Sequence, residues 1–116
     1  MTEEVKQEVE KVQVHIDDVK KAVAMADQLL TLNKVPEFEE LIIKGFMTNE
    51  PARIAAIITD PNLQDEVNQR ELFGAIKAVG YLQDYLRNIE RRGVQLRAAL
   101  AEAENYKTEL LNSKGD

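Results

Sequence analysis

The first thirty residues carry apolar side chains at alternating steps of four and three. The positions are Val5, Val9, Val12, Ile16, Val19, Val23, Ala26 and Leu30. This heptad keeps one stripe of a helix against a neighbouring helix, as in a coiled coil. We predict a long first helix over residues 3–33, which contains neither Gly nor Pro. Beyond Ala22 the apolar positions cover most of the circumference, which predicts burial on several sides near Leu30.

A longer heptad predicts a second long helix over residues 65–111. Its apolar stripe runs through Leu72, Ala75, Val79, Leu82, Leu86, Ile89, Gly93, Leu96, Leu100, Ala103, Lys107 and Leu110. Glycine costs a helix roughly 1 kcal/mol relative to alanine. We interpret Gly93, which lies on the stripe near several alanines, as a place of close helix approach, with a kink as the alternative.

Two short helices are predicted between the long ones. Pro36 suits a first helical position and Gly45 a helix end, which predicts a helix over residues 36–45. The run Thr48-Asn49-Glu50-Pro51 is typical of a capped start and predicts a helix over residues 50–59. Asp60-Pro61 ends it, because the residue before a proline is disfavoured in the helical region.

These elements predict an all-α single domain over residues 1–116. The two long helices form an antiparallel, coiled-coil-like hairpin, and the two short helices pack at its closed end. A simple register pairs residue 33 minus n with residue 66 plus n. The same heptads also permit a hairpin closed between two chains by swapping.

This register leaves the end of the last helix without a neighbour, which predicts a protein-interaction surface. Its residues are Leu100, Ala103, Tyr106, Leu110 and Leu111. The alternatives are that this end frays or that the short helices reach further than the register allows. The register also places four arginines opposite the first helix's glutamates: Arg87, Arg91, Arg92 and Arg97 face the segment with Glu3, Glu4, Glu8 and Glu10. Ion pairing is favoured for these arginines over a contact with phosphate or another anion.

Charge and composition narrow the class of partner. The net charge is −6, and the acidic excess lies wholly in residues 1–65. Nucleic acids and acidic membranes reward positive charge, so we expect neither as a partner. The apolar runs are too short to span a bilayer. Met1 is followed by acidic and polar residues rather than by the basic and apolar regions of a signal peptide, so we expect no leader.

No reactive centre is indicated. Cysteine is absent and His15 is the sole histidine, which provides neither a metal-ligand set nor a nucleophilic relay. Two acidic clusters lack the Glu-x-x-His pairs of bundle metal sites; they are Glu37, Glu39 and Glu40, and Glu102 and Glu104. We therefore predict no catalytic, cofactor-binding or metal-binding residues, no cofactor and no enzymatic activity.

The middle of the chain contains five motifs: Pro36-Glu37-Phe38-Glu39-Glu40-Leu41-Ile42, Gly45-Phe46, Glu50-Pro51-Ala52-Arg53, Asp60-Pro61-Asn62-Leu63-Gln64 and Ala78-Val79-Gly80-Tyr81-Leu82-Gln83-Asp84-Tyr85-Leu86. Together they resemble a group of small acidic helical proteins encoded by tailed bacteriophages. The resemblance covers roughly residues 25–100 and departs from the group at Pro51. It implies a phage origin and a role in virion assembly, without a catalytic signature.

The expected function is therefore non-enzymatic. The protein would act by helical protein–protein contacts in virion assembly, as a structural component or an assembly chaperone. The alternative is a host-takeover or anti-defence factor that binds and blocks a bacterial protein. The expected partner is accordingly a viral structural protein or a host protein, and we expect the chain to associate with itself. Its expected place is the cytoplasm of the infected bacterium, with incorporation in the virion left open.

Overall fold

The computed structural model of the chain describes residues 2–113, and within them every regular element is helical. The elements are α1 (Glu3–Leu32), α2 (Pro36–Phe38), a π-helix (Glu39–Asn49), α3 (Glu50–Ile57), a 3₁₀ helix (Pro61–Leu63) and α4 (Glu66–Asn112). The two long helices α1 and α4 pack against each other. The predicted all-α hairpin of long helices is confirmed.

Helix α1 forms where its caps and its apolar stripe predict. The Thr2 hydroxyl accepts a hydrogen bond from the Val5 N–H at 3.2 Å, which satisfies a free donor of the first turn. Val12, Ile16 and Val19 are buried, as the heptad requires. Past Ala26 the stripe steps by three rather than four, so Leu29 is buried instead of Leu30.

The expected burial on several sides at the end of α1 is wrong. Leu30 is 50% exposed, and Met25 and Leu32 are exposed as well. Part of the apolar surface of this segment is therefore left exposed to solvent.

The chain divides into two compact units. The described parts of Met1–Gln28 and Ile89–Asp116 form the first unit, and Leu29–Asn88 forms the second. In the first unit α1 runs antiparallel to the C-terminal part of α4. Glu8 meets Tyr106 near one end of this pairing and Asp27 meets Arg97 near the other.

The predicted helix register is wrong. It places Ala26 opposite residue 73, whereas Ala26 in fact lies against Gly93. The prediction assumed that the hairpin closes immediately after α1. Instead, the first part of α4 belongs to the second unit, where Val79 is buried and Gln83 bonds to the Met47 carbonyl.

The predicted break between the two short helices is also wrong. The chain is helical without interruption from Pro36 to Ile57, and Gly45 lies inside the π-helix. An α-helical hydrogen bond to the Met47 carbonyl would come from the N–H of Pro51, which proline lacks. The side-chain amide of Gln83 donates to that carbonyl at 3.2 Å instead. The π-helical turns before Pro51 and the hydrogen bond from Gln83 are thus compatible with a helix that continues on both sides of the proline.

The end of α3 agrees with the predicted stop at Asp60-Pro61. Asp60 is extended, and its carboxylate accepts from the Asn62 N–H at 2.9 Å. Two glutamine side chains, Gln64 and Gln69, each donate to the Ile58 carbonyl at 3.0 Å. The carbonyls left free at this helix end are thus satisfied by side chains.

Helix α4 begins at a side-chain cap and continues without a break through Gly93. The Asp65 carboxylate accepts from the Asn68 N–H at 3.0 Å. Gly93 is buried, and a Cβ added there would lie less than 3.0 Å from the Ala26 Cβ. The predicted close helix approach at Gly93 is confirmed.

Candidate functional site

The residues predicted to form a free interaction surface lie against α1. Leu100, Ala103 and Leu110 are half-buried, while Tyr106 is 45% and Leu111 37% exposed. Contrary to the prediction, this segment does not extend beyond α1 but lies beside the first half of that helix, where Tyr106 meets Glu8 and Lys107 meets Gln13. We still predict that these residues contact another protein, but the absence of a neighbouring helix no longer supports that prediction.

Polar contacts bridge α1 and α4 along one flank of their seam. They join Gln13 to Lys107, Lys20 to Glu104 and Asp27 to Arg97. Four of these side chains, together with Ile16, Thr108 and Leu111, line a depression of about 320 Å³. The ion pairs are exposed, so each stabilises the pairing only weakly. We call this side the bridged flank.

The opposite flank is open. It carries a groove of about 440 Å³ lined by Glu8, Lys11, Val12 and His15 of α1 and by Ala99, Glu102, Ala103 and Tyr106 of α4. The two alanines and Val12 give the groove an apolar floor, and the charged residues form its rim. We call this side the open flank.

One hydrogen bond crosses the open flank. The Tyr106 hydroxyl donates to a carboxylate oxygen of Glu8 at 3.3 Å. The negative charge of Glu8 is the largest influence that raises the pKa of Tyr106 above its ordinary value of 10.0. The phenol hydroxyl is the donor in this contact, and the carboxylate is the acceptor.

The four arginines are not gathered opposite the N-terminal glutamates. Arg97 pairs with Asp27, and Arg87 lies 3.6 Å from Asp84 of its own helix. For Arg91 and Arg92, both exposed, the structure of residues 2–113 gives no ion pair. The predicted pairing with Glu3, Glu4, Glu8 and Glu10 is wrong because it depended on the displaced register. A contact between these arginines and an anion stays the alternative interpretation.

His15 is exposed on the rim of the open flank. Among residues 2–113, no group of three or more His, Asp or Glu side chains is arranged to hold a metal ion. Within the same residues, none of the helices combines the length and apolarity needed to cross a membrane.

The second unit exposes large aromatic side chains on α4. Tyr81 is 82% and Tyr85 56% exposed, and Phe73 is half exposed. The two tyrosines are four residues apart, so they project from the same face of the helix. Sequence reasoning did not identify this face.

Sequence reasoning also missed the structural glutamines. Gln83 serves the carbonyl that Pro51 leaves without an α-helical donor, and Gln69 bonds to the carbonyls of Ile58 and Leu63. The signal was present in part, since a proline inside a helical pattern demands another donor for a carbonyl. Which side chain supplies it depends on tertiary packing.

No protein family, curated protein or solved structure matches the chain.

Proposed function

We propose that the protein acts by helical protein–protein contacts in the assembly of a bacteriophage particle, as a structural component or an assembly chaperone. The observation that carries the proposal is the exposure of large aromatic side chains on α4. Phe73, Tyr81 and Tyr85 are all more than half exposed. Aromatic residues are enriched in protein interfaces and in their energetic hot spots.

The geometry of the tyrosine pair suits one mode of recognition. Side chains at i and i+4 present two neighbouring anchors, as when a helix lays one face in a partner's groove. Each tyrosine offers a large apolar ring and a hydroxyl that can remain hydrogen-bonded at an interface. A partner surface with an apolar groove and polar edges would match them.

Support for the phage setting comes from the sequence. The motifs between residues 25 and 100 resemble small helical proteins of tailed bacteriophages, and several of them lie in the second unit, which includes Tyr81 and Tyr85. The overall charge of −6 disfavours binding to nucleic acid. We therefore place the partner among the proteins of the particle or of its assembly intermediates.

The test is affinity capture from infected cells followed by mass spectrometry. The tagged protein should recover a viral structural protein, and Tyr81→Ser with Tyr85→Ser should abolish the recovery. Val14→Ser, which alters another strongly exposed apolar residue, on α1, is the matched control and should leave capture intact.

Mass spectrometry of particles and assembly intermediates completes the test. Absence of the protein from both, together with capture of no viral protein, would reject the proposal. Capture of a bacterial protein in place of a viral one would support the host-takeover alternative.

A further inference from the structure

We propose that a second copy of this chain docks on the open flank of the first unit, with the two α1 helices side by side and antiparallel. The proposal goes beyond the assembly role, because it names a self-association surface that does not involve the tyrosine face of α4.

The two flanks of the first unit differ in the number of polar contacts that join α1 to α4. On the bridged flank, polar contacts join α1 to α4 within the chain. On the open flank, the hydrogen bond from Tyr106 to Glu8 is the one polar contact described between α1 and α4, and beside it Ala99, Ala103 and Val12 form the floor of a groove. Small side chains allow another helix to approach closely, so docking is favoured on the open flank.

The charges on this flank are complementary to themselves. Glu8, Lys11 and His15 line the groove, and Glu4 precedes Glu8 by four residues, which places it in the same row. The row reads acid, acid, base, imidazole. In an antiparallel copy it reads in reverse, so that Glu8 faces Lys11 and Glu4 faces His15. A two-fold axis makes each of these contacts twice.

The same row argues against a partner of uniform charge. A basic helix would meet Lys11 with like charge, and an acidic helix would meet Glu4 and Glu8 with like charge. A helix that complements this row must place basic groups opposite Glu4 and Glu8 and an acidic group opposite Lys11. The chain's own α1, run antiparallel, meets this requirement.

Charge reversal with rescue tests the pairing. In sedimentation equilibrium the unaltered chain should form a dimer. Glu8→Lys or Lys11→Glu alone should weaken it by about tenfold or more, because two attractive contacts become repulsive. The combination of Glu8→Lys and Lys11→Glu in one chain restores opposite charges across the two-fold axis and should restore the dimer.

Matched controls use the far face of α1. Glu10→Lys and Lys21→Glu change the net charge by the same amounts at exposed positions away from the groove, and they should leave the dimer unchanged. Because Glu8→Lys also removes the acceptor of Tyr106, circular dichroism of each variant should establish that the helices persist. Ala99→Gln, an uncharged obstruction in the groove, should weaken the dimer as well.

Two results would overturn the proposal. One is a monomer at every concentration accessible to sedimentation. The other is a dimer that the single reversals leave intact or that the combined reversal fails to restore. Neither result touches the assembly role, because viral capture through Tyr81 and Tyr85 is measured separately.

Discussion

Gly93 of α4 lies against Ala26 of α1 so closely that a methyl group on the glycine would overlap the alanine side chain. This contact favours the observed register of the two long helices, because a larger residue at position 93 would hold their backbones further apart. Elsewhere along the seam, larger side chains from the two stripes pack in the manner of a coiled coil.

Gly93→Ala should destabilise the protein despite the better helix propensity of alanine. Alanine gains up to about 1 kcal/mol in a helix, whereas forcing a methyl group into a packed contact costs about 1–3 kcal/mol. We expect a net loss in the free energy of unfolding, measured by chemical denaturation. Ala26→Gly in the same chain should recover part of the overlap cost.

Gly74→Ala is the control for this substitution. A Cβ at Gly74 meets nothing within 4 Å, so the variant should be stabilised by about 0.5–1 kcal/mol. Equal effects of the two glycine substitutions would contradict the close approach at Gly93.

The register itself can be tested by chemical cross-linking, since the chain has no native cysteine. Lys20→Cys with Glu104→Cys replaces an ion pair of the bridged flank, whose charged atoms lie 3.9 Å apart. A short bifunctional maleimide should link the two cysteines within one chain.

Lys20→Cys with Glu90→Cys provides the comparison. Residue 90 lies about 21 Å from residue 104 along a helix that rises 1.5 Å per residue, so no intramolecular link should form. Peptide mapping by mass spectrometry distinguishes the two products, and a link in the second variant would disprove the register.

Gln83→Leu should destabilise the second unit because the Met47 carbonyl loses its side-chain donor. The expected loss is about 1 kcal/mol, typical of one removed hydrogen bond. Pro51→Ala supplies a backbone N–H, so in the Pro51→Ala background the same glutamine substitution should cost less. A double-mutant cycle from urea unfolding measures this coupling. Additive losses would show that Gln83 does not compensate for the proline.

Asp65 should make the stability of α4 depend on acid pH. The hydrogen bond from the Asn68 side chain is the main cause that lowers the pKa of Asp65 below its ordinary value of 3.8. Stability from this cap is therefore present above the unfolded-state pKa and is lost as pH falls through the folded-state pKa. Asp65→Ala should lower the melting temperature at pH 7 and have a smaller effect in strong acid. An equal shift at both pH values would contradict the charged cap.

The sequence predicted the faces of the helices well and their register poorly. Val12, Ile16, Val79 and Gly93 lie on the predicted stripes and are buried. A heptad repeats along the helix, however, so sliding one helix by whole heptads again places apolar residues opposite apolar residues. The observed register differs from the predicted one by about three heptads. Matching acids to arginines did not correct this error, because charges of both signs occur along most of both helices.

The π-helix could not be predicted for a different reason. The pattern around Gly45 and Asn49 is typical of helix ends, and local propensity favours a break there. In the folded chain the Met47 carbonyl accepts from Gln83, which is distant in sequence and reaches that carbonyl only when the second unit has packed. Interactions of this kind are set by tertiary structure rather than by local pattern.

The discontinuous first unit has a consequence for biosynthesis. Glu8 and Tyr106, which meet in the folded chain, are separated by 98 positions in sequence. As the ribosome releases the chain from its N-terminus, α1 emerges long before the residues that cover its stripe, and Val12, Ile16 and Val19 meanwhile have no native neighbour. Contacts between distant segments form slowly, and apolar surface exposed in the interval invites association. Neighbouring nascent chains on one polysome are therefore expected to come into contact while the apolar stripe of α1 is still exposed to solvent.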